Sequence, residues 1–347
     1  MNKFKIIALF LVLVLSFTTF AGCQSTPTYA QTRWEMGEAL VYNVNLVNTE
    51  KISYNNLEYT RDYDLVSEVS ENPDQIKPVA VSGTVTVEIS ESTRQDAQFA
   101  ITTTTNVVET YNKTDVTVEL SAFAETLVSS DATQVQLRTS IESVVHFSEN
   151  LSPVYSEKTA VAPYVGRTHQ GAENYKVTAT YNATTIETCL QNFATEQTTE
   201  NVVEKASSTT YDSAQLFLIL RALDQSSAGF ESTVAVAVFD PITLTTFGIN
   251  VTLARNVERM VFNQRESTEK LCTVNEMQAS SGGFLTRIYN TNHETDSFVK
   301  QDTGSVVRRY TTVKIQQGYW TLELDLSSTT DAIINKVVSA LQTVESN

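Results

Sequence analysis

Glycine and histidine are scarce in this 347-residue chain, with 11 and 3 copies, and their scarcity removes several chemistries at once. Loops that cradle phosphate need clustered glycines, because backbone N–H groups must come close to the anion. Here the glycines are isolated, and no P-loop, dinucleotide fingerprint, nucleophile elbow or zinc-protease helix occurs. His146, His169 and His293 are scattered, and none has a Cys, His, Asp or Glu partner at metal-ligand spacing. All three are expected at the surface or in turns. Positive charge is short as well: 24 Lys and Arg face 40 Asp and Glu, a formal net charge of −16. Such a surface repels nucleic acid and anionic headgroups, so neither is expected as a partner of the folded body. Asp62 and Asp64 share a strand face at a spacing that suits calcium or acid–base work. The simpler reading is the solvated side of an alternating strand. The chain therefore reads as a non-enzyme with no cofactor and no metal site.

Long apolar runs are missing everywhere except at the start. Lys3 and Lys5 give a positive beginning, Ile6–Leu15 is unbroken apolar, and Ala21 and Gly22 place small residues before Cys23. That is the layout of a secretory signal over residues 1–22. The run is too short for the roughly 20 residues that span a bilayer comfortably. Phe20-Ala21-Gly22-Cys23 resembles the lipobox of bacterial lipoproteins, with Phe20 where a leucine-like residue is usual. The resemblance implies that the Cys23 thiol receives a diacylglycerol and becomes the mature N-terminus. It implies a palmitate-type membrane anchor and an extracytoplasmic location, on the cell membrane or on an outer membrane if the host has one. The alternative is plain secretion, with cleavage at another small residue such as Ala30. Residues 23–33 are polar and read as a tether. Loss of Lys3 and Lys5 would make the charge two units more negative. Cys189 and Cys272 remain as an even pair in an oxidising compartment. A disulfide between them fits, and so do two small buried thiols.

From residue 34 onward the dominant period is two. Leu40, Tyr42, Val44 and Leu46 alternate with polar or smaller residues. So do Val85, Val87 and Ile89, then Tyr175, Val177, Ala179 and Tyr181, then Val234, Val236 and Val238, then Trp320, Leu322 and Leu324. Alternation means one-sided burial in antiparallel sheet. Asn112-Lys113, Asp240-Pro241, Gly282-Gly283 and Gln317-Gly318 read as turns between these runs. Composition does not shift along the way, so 34–347 is expected to be a single β-rich domain.

Two segments follow another rule. Tyr211–Asp224 carries Asp212 and Gln215 at capping-box spacing, ahead of the unbroken apolar stretch Leu216–Leu220. A helix that is apolar all round must be buried on more than one side. Arg221 lies on it, so its guanidinium is expected in an internal ion pair, on an anionic ligand head, or exposed at the helix end. Ile333, Ile334, Val337, Val338, Leu341 and Val344 follow helical spacing and predict an amphipathic helix over 330–345.

Gly37-Glu38-x-Leu40-x-Tyr42, then Asp212-Ser213 with Leu220-Arg221, then the Tyr319–Leu326 strand resemble motifs of a group of bacterial envelope domains of unknown function. The likeness spans most of 34–326 and fits 71–150 poorly, as an insertion or extra strands. Its fold looks like the half-open β-barrel of lipoprotein-carrier proteins. The resemblance implies a mainly β protein in which a large curved antiparallel sheet wraps around one apolar helix. It further implies a concave face that holds a lipid or another apolar ligand, unless the helix plugs it. The other expectation is a structural protein of the envelope that docks another envelope protein. Both place the chain on a membrane through Cys23. Radiolabelled palmitate is expected to mark the wild-type chain and not Cys23→Ser, and the variant should leave the membrane fraction. Equal labelling of both would remove the anchor.

Overall fold

The computed structural model describes residues 36–47, 51–54, 57–60, 76–116, 120–166, 170–222, 232–241, 244–263, 268–281, 284–291, 299–300, 305–306 and 312–325. Among these residues twenty strands follow in chain order. The first eleven are β1 (Ala39–Leu46), β2 (Lys51–Tyr54), β3 (Leu57–Thr60), β4 (Ala80–Glu91), β5 (Phe99–Asn112), β6 (Leu127–Ser130), β7 (Gln134–Phe147), β8 (Pro153–Val165), β9 (Gln170–Tyr181), β10 (Thr185–Asn192) and β11 (Gln197–Glu204). After these come β12 (Thr210–Asp212), a 3-10 turn (Ser213–Gln215) and helix α1 (Leu216–Ala222). The remainder are β13 (Ser232–Asp240), β14 (Thr245–Asn263), β15 (Thr268–Ser281), β16 (Phe284–Thr291), β17 (Val299–Lys300), β18 (Ser305–Val306), β19 (Thr312–Gln317) and β20 (Trp320–Leu324).

Sixteen of these strands form one sheet, in the order β11-β10-β9-β8-β7-β5-β4-β1-β20-β19-β16-β15-β14-β13-β12, with β6 paired to the start of β7. The expected large antiparallel sheet is therefore present. All its pairs are antiparallel except β12 with β13. The path is two meanders. One runs outward from β1 to β11, and the other starts at β12 and returns to β20, which pairs with β1. Residues 76–116 and 120–150 supply β4, β5, β6 and β7 near the middle of the sheet, so this stretch is integral to it rather than an appendage. Asn112-Lys113, Asp240-Pro241 and Gln317-Gly318 fall at the ends of β5, β13 and β19, and Gly282-Gly283 lies outside the described residues.

Connectivity forces the sheet to curl. Glu204 ends β11 and Thr210 begins β12, so only residues 205–209 join the two opposite ends of the strand order. Six extended steps cover about 20 Å. Fifteen strands laid flat at about 4.8 Å spacing would separate those ends by roughly 67 Å. The ends do meet, through side chains: the Thr246 hydroxyl of β14 donates to the Glu204 carbonyl at 3.2 Å. No ladder joins β11 to β12, so the sheet is not closed into a barrel.

A second cross-sheet bond shows which face is concave. Trp320 Nε1 donates to Glu109 Oε1 at 2.8 Å, although β4 and β1 lie between β20 and β5. Three strand spacings are about 14 Å on a flat sheet, more than the two side chains span together. The face carrying Glu109, Tyr42 and Val85 is thus the inner one. Leu40, Tyr42, Val85, Val87, Ile101 and Val145 from one limb share an apolar cluster with Val236, Val238, Ile249, Val251, Ile315 and Leu322 from the other. Leu218 and Ile219 of α1 belong to the same cluster, at 1% and 0% exposure. Each such side chain contributes roughly 1.5–3 kcal/mol by leaving water.

The apolar segment is shorter as a helix than its sequence suggests. Tyr211 and Asp212 are strand residues, paired with Val238 and Phe239, and helical geometry begins at Ser213. Asp212 keeps an extended backbone, as an N-cap residue does, and so stays in strand register beside β13 while it starts the turn. Residues 223–224 and the C-terminal helix expected over 330–345 lie outside the described residues.

Gly83 is needed where β4 crosses β5. Its φ is +155°, and a Cβ there would lie 2.1 Å from the Asn106 carbonyl oxygen. Gly83→Ala is expected to destabilise the fold by about 3 kcal/mol, as a forced backbone shift. Gly248→Ala, where a Cβ meets nothing within 4 Å, should stay within about 0.5 kcal/mol. Urea unfolding of the two variants checks the contrast.

Candidate functional site

The two limbs of the sheet are tied together at one buried carboxylate. Asp212 ends β12, is 1% exposed, and accepts the Tyr181 hydroxyl of β9 at 2.6 Å. Its other oxygen accepts the Ala214 N–H at 2.8 Å. Gln215 completes the capping box: its Oε1 accepts the Asp212 N–H at 3.1 Å, and its Nε2 donates to the Leu151 carbonyl at 3.2 Å. One motif therefore starts the helix, holds it to the turn between β7 and β8, and receives a phenol from the opposite limb. Ser156 on β8 adds a longer contact to the Tyr181 oxygen, at 3.4 Å. Phe239 packs edge-on to the Tyr181 ring, with centroids 6.0 Å apart.

The electrostatics of this seam are set by burial. Burial raises the Asp212 carboxyl above its ordinary value, and the bonds from Tyr181 and Ala214 pull it partly back. Burial also pushes the Tyr181 phenol well up, and the nearby Asp212 charge adds to that. Eight residues back along β9, desolvation and then the Asp240 charge raise the carboxyl of Glu173, a residue still open to solvent, while Lys158 opposes them. Tyr175 is 7% exposed, and its hydroxyl has no hydrogen-bond partner among the described residues. Burial, then Glu173 and Asp240, push its phenol up. No three of the described His, Cys, Asp and Glu side chains are arranged to hold a metal ion.

A second polar cluster corrects an expectation. His146 is buried on β7, not at the surface or in a turn. Its Nδ1 lies 2.9 Å from Ser92 Oγ, and its ring meets Tyr155 at 6.1 Å. Burial there, and then the Arg94 charge, lower its pKa. Arg94 stacks 4.5 Å over Tyr155 and pairs with Asp96 at 2.8 Å. Ser92 Oγ already accepts the Arg94 N–H at 3.0 Å, which ties this hydroxyl into a local turn. Side chains brought in by strand register bury the ring, and isolated sequence spacing carries no trace of that.

The other residues singled out from the sequence are dispersed. Cys189 is a half-buried free thiol on β10. The backbone of Cys272 sits on β15 opposite Arg259, and its side chain lies outside the described residues. Arg221 is helical, and its side chain also lies outside them. So do Cys23, Asp62, Asp64, His169 and His293. Sequence reasoning found Asp212 and Gln215 as a cap but missed Tyr181, Ser156, Glu173, Tyr175 and Asp240. The one available signal was phenols on the apolar face of β9.

Fold and seam define a mainly β protein built on one open, curled antiparallel sheet. No protein-family model and no curated protein matches the chain. Among solved structures, a β-barrel-like protein of the domain of unknown function DUF1849 from Brucella abortus aligns at a TM-score of 0.42 and 9% identity, over 86% of this chain and 97% of that one. A likeness of that degree settles neither family nor activity.

Asp212 has a folded pKa above its unfolded value, so its ionisation opposes folding. Its contribution is most favourable below the unfolded value of 3.8 and is lost as pH rises through the folded pKa. Asp212→Asn keeps a capping oxygen and removes that titration. Its urea midpoint is expected to improve relative to wild type as pH rises from 4 to 8. A constant difference across that range would show the carboxylate to be ionised at no cost.

Proposed function

We propose that the chain is a lipid-tethered extracytoplasmic protein that serves as a non-catalytic protein-interaction module of the cell envelope. The anchor is Cys23, and the body is a half-open sheet curled around α1. The observation that supports a protein partner is the position of that helix. Leu218 and Ile219 pack among residues of both limbs, so the helix takes up inner volume that an acyl chain would need. A partner then meets the body on its outer face or at its edge.

A lipid or other apolar ligand is the second reading, and one observation favours it. The inner face is apolar on both limbs, while α1 spans only seven residues. A ligand that displaced the helix would find a continuous greasy surface beneath it. Native mass spectrometry and whole-cell crosslinking separate the two readings. The interaction reading expects gently purified protein without bound lipid, no uptake of a fluorescent fatty acid, and a discrete protein adduct in cells. Stoichiometric lipid in the spectrum, with only monomer and lipid adducts in cells, would overturn it in favour of the second.

A further inference from the structure

The two ends of the sheet are finished differently. β12 is three residues long and all three are buried. β11 is eight residues long, every one exposed or half-buried, and its outer side has no strand partner among the described residues. Its eight pairs with β10 run without a register shift. It carries no proline, lysine or bulge to block pairing with another chain; its only charges are Glu200 and Glu204, which oppose acidic partners and leave basic ones.

The direction of its free backbone groups can be read. The Thr188 hydroxyl donates to the Asn201 carbonyl, and the Lys205 N–H donates to the Thr184 carbonyl, so odd positions face β10. The Glu204 carbonyl instead accepts from Thr246, on the far side. Thr198, Glu200 and Val202 therefore present their N–H and C=O groups outward. Their side chains rise on the outer face, where Val202 is 67% exposed, the most of any large apolar residue described. Glu200 and Glu204 flank Val202, and Glu187 lies opposite it on β10. The neighbouring cations are engaged elsewhere: Lys176 pairs with Glu157 at 2.7 Å, and Lys205 lies 5.9 Å from the Tyr181 ring centre.

From this edge we infer that β11 is a docking site for an extended, basic segment of another polypeptide, which adds to the sheet as a further antiparallel or parallel strand. The inference rests on the interaction reading and names the surface and the chemistry of the partner. Backbone groups of Thr198, Glu200 and Val202 supply the pairing. Lysine or arginine side chains opposite Glu200, Glu204 and Glu187 supply the selectivity, and apolar ones cover Val202. A second copy of this chain is disfavoured as occupant, because it would set the same glutamates against each other.

The test uses the Cys23→Ser protein and a labelled synthetic peptide of alternating lysine and valine, matched in length to β11. Fluorescence anisotropy should show saturable binding that weakens with salt, and a peptide with glutamate in place of lysine should not bind. Hydrogen exchange should show new protection at Thr198, Glu200 and Val202 when the basic peptide is added. Val202→Pro removes one outward N–H and leaves every charge in place. It should weaken binding about fivefold or more, at an unchanged unfolding midpoint. Glu200→Lys should weaken binding and flatten the salt dependence. Unchanged affinity in Val202→Pro, equal binding of the acidic peptide, or a dimer of the wild type that Val202→Pro dissociates would each overturn the assignment. An in-cell protein adduct that persists in Val202→Pro would overturn the edge while leaving the interaction reading standing.

Discussion

A five-residue connection governs this molecule. Residues 205–209 must carry the chain from one end of a fifteen-strand path to the other. No flat sheet permits that, so the sheet has to roll until the connection can reach from β11 to β12, which also brings Glu204 of β11 to Thr246 of β14. Strand twist favours rolling in general. Here the connection also fixes how far the rolling goes, and it brings β8 and β9 against β12 and β13. The Tyr181–Asp212 bond exists because of that approach. So does the shared cluster in which Tyr181, Ile186 and Phe239 pack together.

Rolling gives the sheet an inside, and the inside explains the strained electrostatics. Glu109 and Asp212 both carry carboxyls whose pKa burial raises. A buried carboxylate is costly unless donors meet it. Trp320 and Tyr111 meet Glu109, and Tyr181 and Ala214 meet Asp212. Each carboxylate joins elements that are not neighbours in the sheet: β5 with β20, and β9 with β12. Apolar side chains in their place would pack without choosing a curvature, because hydrophobic burial has no direction. The hydrogen bonds restrict the roll to geometries in which both sets of donors reach.

What could be read from the chain follows from the range of each interaction. Period-two alternation is local, so β1, β4, β9, β13 and β20 were legible as strands, and so were the turns between them. The capping box was legible because Asp212 and Gln215 are three residues apart. The strand start at Tyr211 was not, since it depends on Val238 and Phe239, which are 27 residues further along. His146 looked like an isolated histidine because Ser92, its contact, is 54 residues away. The same distance rule hid the seam, whose phenols and carboxylates come from β9, β12 and β13. The stretch that fitted the family resemblance least, 71–150, turned out to hold central strands. Its Thr-rich alternation was readable, but its place in the strand order was not.

The apolar inner face and the open edge have a common origin. The chain leaves β11, crosses, lays down β12 and then turns inward as α1. That crossover spends its apolar residues on the interior, where Leu218 and Ile219 bridge the limbs, and it buries β12 in the process. Among the described residues nothing comparable lies along β11 on its outer side, because the chain leaves directly for the other limb. The Thr246–Glu204 contact marks where the rolling stops, at one end of β11 only. The rest of that strand keeps outward N–H and C=O groups in a field of glutamates, and such groups are satisfied by water until another strand offers better partners. Among the described residues, this acidic edge is the surface on which the fold leaves hydrogen bonds still to be made.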